Sequence, residues 1–319
     1  MVCDLDGIQY QGTVSIGIAL FQGQQQSLEE LLKRADMAMY QAKANGRNAY
    51  AFFDPDMQQR ISAHVALESE LNQALDQDQL RLWYQPQVDT AGHCFGVEAL
   101  IRWEHPERGL VPPNDFIPLA EETGQIITIG RWVMQEACTM LASWSQQVRT
   151  AQLSISVNVS AKQFAQPHFV EEVLDTIQRT GGNAAKLKIE ITESLLAENL
   201  DLVAQKMNAL RAKGVTFSLD DFGTGYSSLT YLKSLPLNQL KIDQSFVRNI
   251  LTEQNQDAIC RAVIALGKAL GMGIIAEGVE TESQWKWLIK EQCEAAQGYL
   301  FCRPVPVSEF MRWLATNGG

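Results

Sequence analysis

From residue 80 onward the chain repeats one unit, a short apolar run rich in β-formers followed by a stretch with helical spacing of its apolar residues. The runs are LRLWYQPQV (80–88), FGVEALIRW (95–103), LSISVNVS (153–160), KLKIEIT (186–192), VTFSLDD (215–221), QLKID (239–243), GIIAEGV (273–279) and AQGYLF (296–301). Stretches such as HFVEEVLDTIQRT, LDLVAQKMNALRAKG and DAICRAVIALGKALG separate them. Strand–helix repetition builds a parallel sheet, because each helical crossover returns the chain to the same edge. Eight such strands in about 250 residues fit a closed (β/α)₈ barrel. The first two runs are joined only by DTAGH, too short for a crossover, so they form an antiparallel pair. The expected fold is α/β, a modified TIM barrel with one antiparallel strand.

A smaller piece precedes it. TVSIGIAL (13–20) alternates like a strand and SLEELLKRADMAMYQAKANG (27–46) reads as a helix. Ser27 and Glu30 have capping-box spacing, and Gly46 suits the position after the last turn. Leu28, Leu31, Leu32, Ala35, Met39 and Ala42 share one face, more apolar surface than this unit buries by itself. The chain therefore divides into a short α+β fragment (1–53), a linker opening a helix (54–65), the barrel (66–314) and a tail (315–319). A net charge of −11 disfavours any nucleic-acid polymer as partner. Six scattered cysteines without a C-x-x-C read as core thiols in a reducing compartment. With no signal peptide or membrane-spanning run, the expectation is a cytoplasmic protein, or the cytosolic part of a larger membrane-anchored one.

Polar residues crowd the C-terminal ends of the strands, where barrels of this class carry their chemistry: Glu98, Asn158, Glu190, Glu193, Asp220, Asp221, Lys241, Glu277 and Gln297. A single carboxylate there is an ordinary helix cap or ion-pair partner. Six are not, and Lys241 cannot neutralise them alone. Divalent cations can, through the oxygen ligands that hard cations prefer. The four histidines (His64, His93, His105, His168) fall outside the strand ends, which argues against zinc and against a histidine base. An all-oxygen site for one or two Mg²⁺ or Mn²⁺ ions suits hydrolysis of a phosphate ester. Arg102, four residues after Glu98, could hold the phosphate. Asp220 and Asp221 are neighbours and would face opposite sides of a strand, so they share a target only where the strand ends and turns. Gly223 and Gly225 permit such a turn.

EALIRW (98–103), NVS (158–160), EITE (190–193), DDFGTGYSSL (220–229), KID (241–243), AEGVE (276–280) and QGYLFCRP (297–304), in that order and spacing, resemble the EAL phosphodiesterases of cyclic di-GMP. SIGIA with RADMAMYQAKANGRN resembles the C-terminal end of GGDEF diguanylate cyclase domains, without the signature loop, and implies no cyclase activity. The EAL resemblance implies a barrel, dimeric as a rule, that linearises cyclic di-GMP to pGpG with Mg²⁺ or Mn²⁺ and is inhibited by Ca²⁺. It implies that Glu98, Asn158, Glu190 and Asp220 ligate one metal and Asp221 a second. Lys241 would touch the attacking water or the phosphate, and Glu277 would orient or activate that water. Gln297, Gln85 and Arg102 would contact the substrate. Glu193, Gly223 and Gly225 would couple the loop after Asp221 to the dimer interface. Two rivals stand beside this reading. One is a cyclic di-GMP receptor that does not cut. The other is a Schiff-base enzyme using Lys241, which surrounding carboxylates disfavour by keeping the amine charged.

Overall fold

The computed structural model describes every residue except 1, 6, 7, 12, 22–26, 45–47, 194, 196–198, 224–228, 252, 253, 318 and 319. Two compact units result, Met1–Gln73 and Ala74–Gly319.

In the first unit, strands Ile16–Ile18 and Tyr50–Phe52 pair in parallel, and helix Leu28–Ala44 packs on them. The approach is close: a Cβ on Gly17 would lie 1.9 Å from the Ala35 carbonyl oxygen. Ala38 and Ala42 are fully buried, whereas Leu28 and Leu32 are exposed. The buried face is thus the one lined with alanines, because small side chains let a helix lie this near a strand, and Leu28 and Leu32 stand outside it. A hairpin of Val2–Leu5 with Ile8–Gln11 precedes these elements. Ser27 accepts from the Glu30 amide as the capping pattern requires, and Gly46 lies outside the described residues. Helix Met57–Ala74 begins within residues 54–65.

The second unit is a barrel of eight strands: β1 (Leu80–Asp89), β2 (Cys94–His105), β3 (Ser154–Asn158), β4 (Leu187–Thr192), β5 (Thr216–Phe222), β6 (Gln239–Ile242), β7 (Gly273–Ala276) and β8 (Ala295–Ala296). Neighbours from β2 to β8 pair in parallel. β1 closes the circle and is antiparallel to both β2 and β8. The expected antiparallel strand is therefore β1.

The last two strands are shorter than the sequence suggests. β7 stops at Ala276 because Gly278 turns with φ +63°, and β8 stops at Ala296. There Gly298 meets the Val279 backbone so closely that a Cβ would lie 2.1 Å from the Val279 oxygen. β2 is longer than expected and runs on past the barrel to His105, pairing with Gly109–Val111. One histidine therefore does end a strand. Its Nδ1 accepts from the amides of Glu107 and Arg108, so it supports this turn.

The strands from β3 to β6 alternate, and their residues are largely buried on both faces. Ile155, Val157, Ile189, Ile191, Phe217, Leu219, Leu240, Ile242 and Ile274 have at most 1% of their surface exposed and form the apolar alternation. The opposite alternation is polar. A TIM-type interior is ordinarily filled with branched apolar side chains. Here Lys188, Ser218 and Gln239, from three neighbouring strands, are hydrogen-bonded to one another through Gln239 Oε1, at 2.8 Å from Lys188 Nζ and 3.3 Å from Ser218 Oγ. Two residues further along the same strands come Glu190, Asp220 and Lys241.

Candidate metal centre

Lys241 Nζ is the hub of the upper layer. It lies 3.2 Å from Asp220 and 3.6 Å from Glu98, 2.5 Å from Glu277, and in contact with Glu190. These carboxylates come from β2, β4, β5 and the residue after β7, so the barrel closure assembles them. Lys241 is 1% exposed. Burial alone would lower its pKa, but the carboxylates, Glu190 foremost, hold it well above the usual lysine value. Burial alone would raise the pKa of Glu98; Lys241, Gln297 and Asn158 outweigh it and hold Glu98 below the usual value. Burial, then the nearness of Glu98 and Asp220, pushes Glu190 up to about 7 against the pull of Lys241. Glu277 is likewise raised, chiefly by burial.

Glu98, Glu190 and Asp220 each offer an oxygen within 4.8 Å of the others, and so do Asp220, Asp221 and Glu277. Glu190 Oε1 is buried and has no hydrogen-bond partner among the described residues. A buried carboxylate oxygen without a donor is costly unless a cation meets it. The donor set is all oxygen, so the residues fit a hard divalent metal. Asn158 stands beside them, its Nδ2 donating to Glu98 Oε1 at 2.6 Å.

The two adjacent aspartates are brought together in a different way from the sequence expectation. β5 does not end at Asp221. Its register with β6 slips between Leu219 and Phe222, and Asp221 itself adopts φ +54°. This is a β-bulge with an aspartate in the left-handed region, a conformation aspartate tolerates better than most residues. The bulge spares both carboxylates from pointing to opposite faces. Burial, then Asp220 and Asp243, pushes Asp221 up to about 6. Gly223 follows with φ +99°, its amide donating to Glu193 Oε1 at 2.8 Å and its Cα facing the Phe246 ring. Gly225 lies outside the described residues.

Gln85 and Gln297 are buried and bonded together. Gln297 Nε2 donates to Gln85 Oε1 at 2.9 Å and to Glu98 Oε2 at 2.5 Å, while Gln85 Nε2 donates to the Cys302 carbonyl. Arg102 is half-buried over the Trp83 ring, 5.5 Å from its centroid, and makes no ion pair among the described residues. A cleft of about 720 Å³ opens beside the cluster, with Asn158, Glu190, Asp220 and Asp221 on its floor and Pro118, Ile129 and Val133 along its wall.

Sequence reasoning missed Lys188, Gln239 and Gln87. Gln87 is fully buried and donates to Gln297 Oε1 at 3.1 Å. The missed signal was parity: each sits two residues from a site residue on the same strand and so faces the same interior. Asp243 was also missed. It stands beside Asp221, whose pKa it helps to raise, and caps the helix Gln244–Arg248.

Comparison with known proteins gives a concordant picture. A family model described as "EAL domain" matches residues 68–304, and one described as "Diguanylate cyclase, GGDEF domain" matches residues 2–49. The bifunctional diguanylate cyclase/cyclic di-GMP phosphodiesterase MucR of Pseudomonas aeruginosa is 44% identical over 304 residues, 95% of this chain and 44% of that protein. The cyclic di-GMP phosphodiesterase PdeR of Escherichia coli is 38% identical over 306 residues, 96% of this chain and 46% of that protein. The chain thus spans less than half the length of either relative. A solved structure, "PaMucR Phosphodiesterase, c-di-GMP complex", superposes with a TM-score of 0.75 at 44% identity, covering 77% of this chain and 99% of that one. No helix among the described residues is long and apolar enough to cross a membrane.

Proposed function

The chain belongs to the EAL domain family, and from that premise we propose that it hydrolyses cyclic di-GMP to linear pGpG. The observation that carries this reading is the convergence of Glu98, Glu190, Asp220 and Glu277 on one point at the barrel mouth, with Asp221 beside them. Glu98, Asn158, Glu190 and Asp220 would hold one cation and Asp221 a second, Mg²⁺ or Mn²⁺. When bound, the cations neutralise the phosphoryl oxygens and acidify a water. Glu277, 2.5 Å from Lys241 Nζ and beside Asp220 and Asp221, orients the attacking water and accepts its proton. Lys241 holds Glu277 in place and meets the phosphate charge. Water adds at phosphorus, the P–O3′ bond breaks and the 3′ oxygen takes up a proton, which leaves a 5′-phosphate. Arg102 offers its guanidinium to a phosphate oxygen. Gln85 and Gln297 reach the substrate by exchanging part of their mutual bonding.

Glu193, Gly223 and Gly225 couple the loop after β5 to a homodimer interface; the Glu193–Gly223 hydrogen bond supports the first part of that role. Ca²⁺ inhibits, because it is larger and prefers more ligands. The location is the cytoplasm, on this chain or as part of a longer protein anchored elsewhere. A receptor that binds without cutting has one observation in its favour: Lys241 already pairs with Glu98, Glu190 and Asp220, the carboxylates that metal needs.

Chromatography of cyclic di-GMP incubated with the protein and Mg²⁺ decides between them. Expected is pGpG that disappears with EDTA and in Glu98→Ala, whose barrel stays folded. Bound but intact cyclic di-GMP would select the receptor.

A further inference from the structure

We infer that Gln87 is a positioning residue for the metal centre: it holds the carboxamide of Gln297 in the one orientation that presents hydrogens to Glu98. The inference rests on the functional reading above and adds a residue to it. Gln87 lies on β1 two residues beyond Gln85, on the same interior face. It is fully buried and pairs with Gly96 across the β1–β2 ladder, just before the register shifts at Val88. A carboxamide has a donating end and an accepting end of nearly the same shape, so packing alone does not choose between them. Hydrogen bonds make the choice at Gln297. An ionised carboxylate only accepts, so Glu98 Oε2 takes a hydrogen from Gln297 Nε2, at 2.5 Å. The second hydrogen goes to Gln85 Oε1 at 2.9 Å, and Gln85 is itself oriented by donating to the Cys302 carbonyl. Gln297 Oε1 then needs a donor, and Gln87 Nε2 supplies it at 3.1 Å. Turned over by half a rotation, Gln297 would set its oxygen against two acceptors and its NH₂ against the NH₂ of Gln87.

The other end of Gln87 shows what the position is for. Its Oε1 is buried and has no hydrogen-bond partner among the described residues. Burying an unpaired carbonyl oxygen is costly, and an apolar side chain of the same length would avoid that cost. What glutamine adds here is therefore the donor toward Gln297. The beneficiary is Glu98, which is gripped at both oxygens, Oε1 by Asn158 and Oε2 by Gln297. A carboxylate fixed by such partners meets a cation without first having to be ordered. When substrate draws Gln297 away from Gln85, the bond from Gln87 keeps the amide from turning over, and Glu98 stays aimed.

The test is a double-mutant cycle with two readouts: the Kd for Mn²⁺, titrated by electron paramagnetic resonance without nucleotide, and the Mg²⁺ dependence of cyclic di-GMP turnover. Gln87→Met keeps the length of the side chain and removes the donor. Expected is a Mn²⁺ Kd weakened about 3- to 10-fold, less than the roughly 10- to 100-fold that follows loss of a ligand's direct partner. The Mg²⁺ concentration for half-maximal turnover moves by a similar factor, and KM for cyclic di-GMP at saturating Mg²⁺ moves less. In a Gln297→Met background, Gln87→Met changes the Mn²⁺ Kd no further, because the residue it acts through is gone. An unchanged Kd in the single variant, or an equal loss with and without Gln297, overturns the inference. So does a lower melting temperature with Mn²⁺ affinity intact. If Gln87→Met lacks a native calorimetric transition, Gln87→Leu replaces it, and failure of both marks a purely structural role and overturns the inference too. A wild type that binds Mn²⁺ but leaves cyclic di-GMP intact overturns the phosphodiesterase reading instead, and the Kd cycle still decides on Gln87. A wild type that binds no Mn²⁺ overturns both.

Discussion

Lys241 sits where a cation is wanted, caged by carboxylates that could not share the space without one. The metal-free site consequently has a pH signature. Glu190, pushed up to about 7, and Asp221, pushed up to about 6, bind protons more tightly folded than unfolded. Between their unfolded values and these raised ones the native state holds more protons, so stability falls as pH rises through that window. Lys241 stays charged throughout, and Glu98 stays ionised above its lowered value. The metal-free protein should therefore melt at a higher temperature at pH 5.5 than at pH 8. Mg²⁺ should raise the melting temperature more at pH 8 than at pH 5.5, because at low pH it must displace protons. Scanning calorimetry with EDTA or Mg²⁺ checks both; a melting temperature that rises with pH in EDTA would contradict the assignment. At this scale the carboxylates were legible because a charge at the end of a buried strand demands a partner of opposite sign, and one lysine is too few for six. Lys188 and Gln239 were not, since a lone polar residue in the middle of a strand reads as solvent-facing until closure buries it. Asp221 was misread in its backbone, because a bulge leaves no residue-type signal when an aspartate occupies the position usually given to glycine.

Among the elements, β8 shows how little regular structure a site residue requires. Two strand residues bring Gln297 beside Glu98, and Gly298 then fits against the Val279 backbone. Gly298→Ala places a Cβ 2.1–2.7 Å from Val279 backbone atoms, which cannot swing aside as a side chain would. Overpacking of this kind costs about 1–3 kcal/mol. We expect a melting temperature several degrees lower, with a Mg²⁺ affinity weakened by the displacement of Gln297 from Glu98. An unchanged melting curve would show that the two loops have room to separate. The sequence suggested six residues of strand here, since Tyr299, Leu300 and Phe301 are all good β-formers. Tertiary contact overrides that propensity: the turn at Gly298 closes hydrogen bonds back to Val279 that a continuing strand would forgo. The short connection between β1 and β2, by contrast, dictated an antiparallel pair before any coordinates, because five residues cannot cross a sheet.

For the whole molecule, the order of motifs from EALIRW to QGYLFCRP made the barrel legible, since each motif falls at the mouth end of its own strand. The boundary between the units was less so: helix Met57–Ala74 runs through the stretch read as linker, and a helix start looks alike whether it opens a domain or joins two. The barrel has its own buried core, and a chain starting at Asp54 should keep its calorimetric transition and the metal-dependent turnover proposed above. Loss of the transition on that truncation would show that the first unit is part of the barrel's fold. The reversal of β1 bears on this division. In an ordinary (β/α)₈ enzyme the first strand is entered from the floor, opposite the chemistry. Here β1 runs the other way, so Leu80 lies at the mouth and the polypeptide threads inward from the catalytic side. The chain therefore joins the barrel at the end that carries the carboxylates, and five residues along β1 lead from that entry to Gln85, the register partner of Glu98.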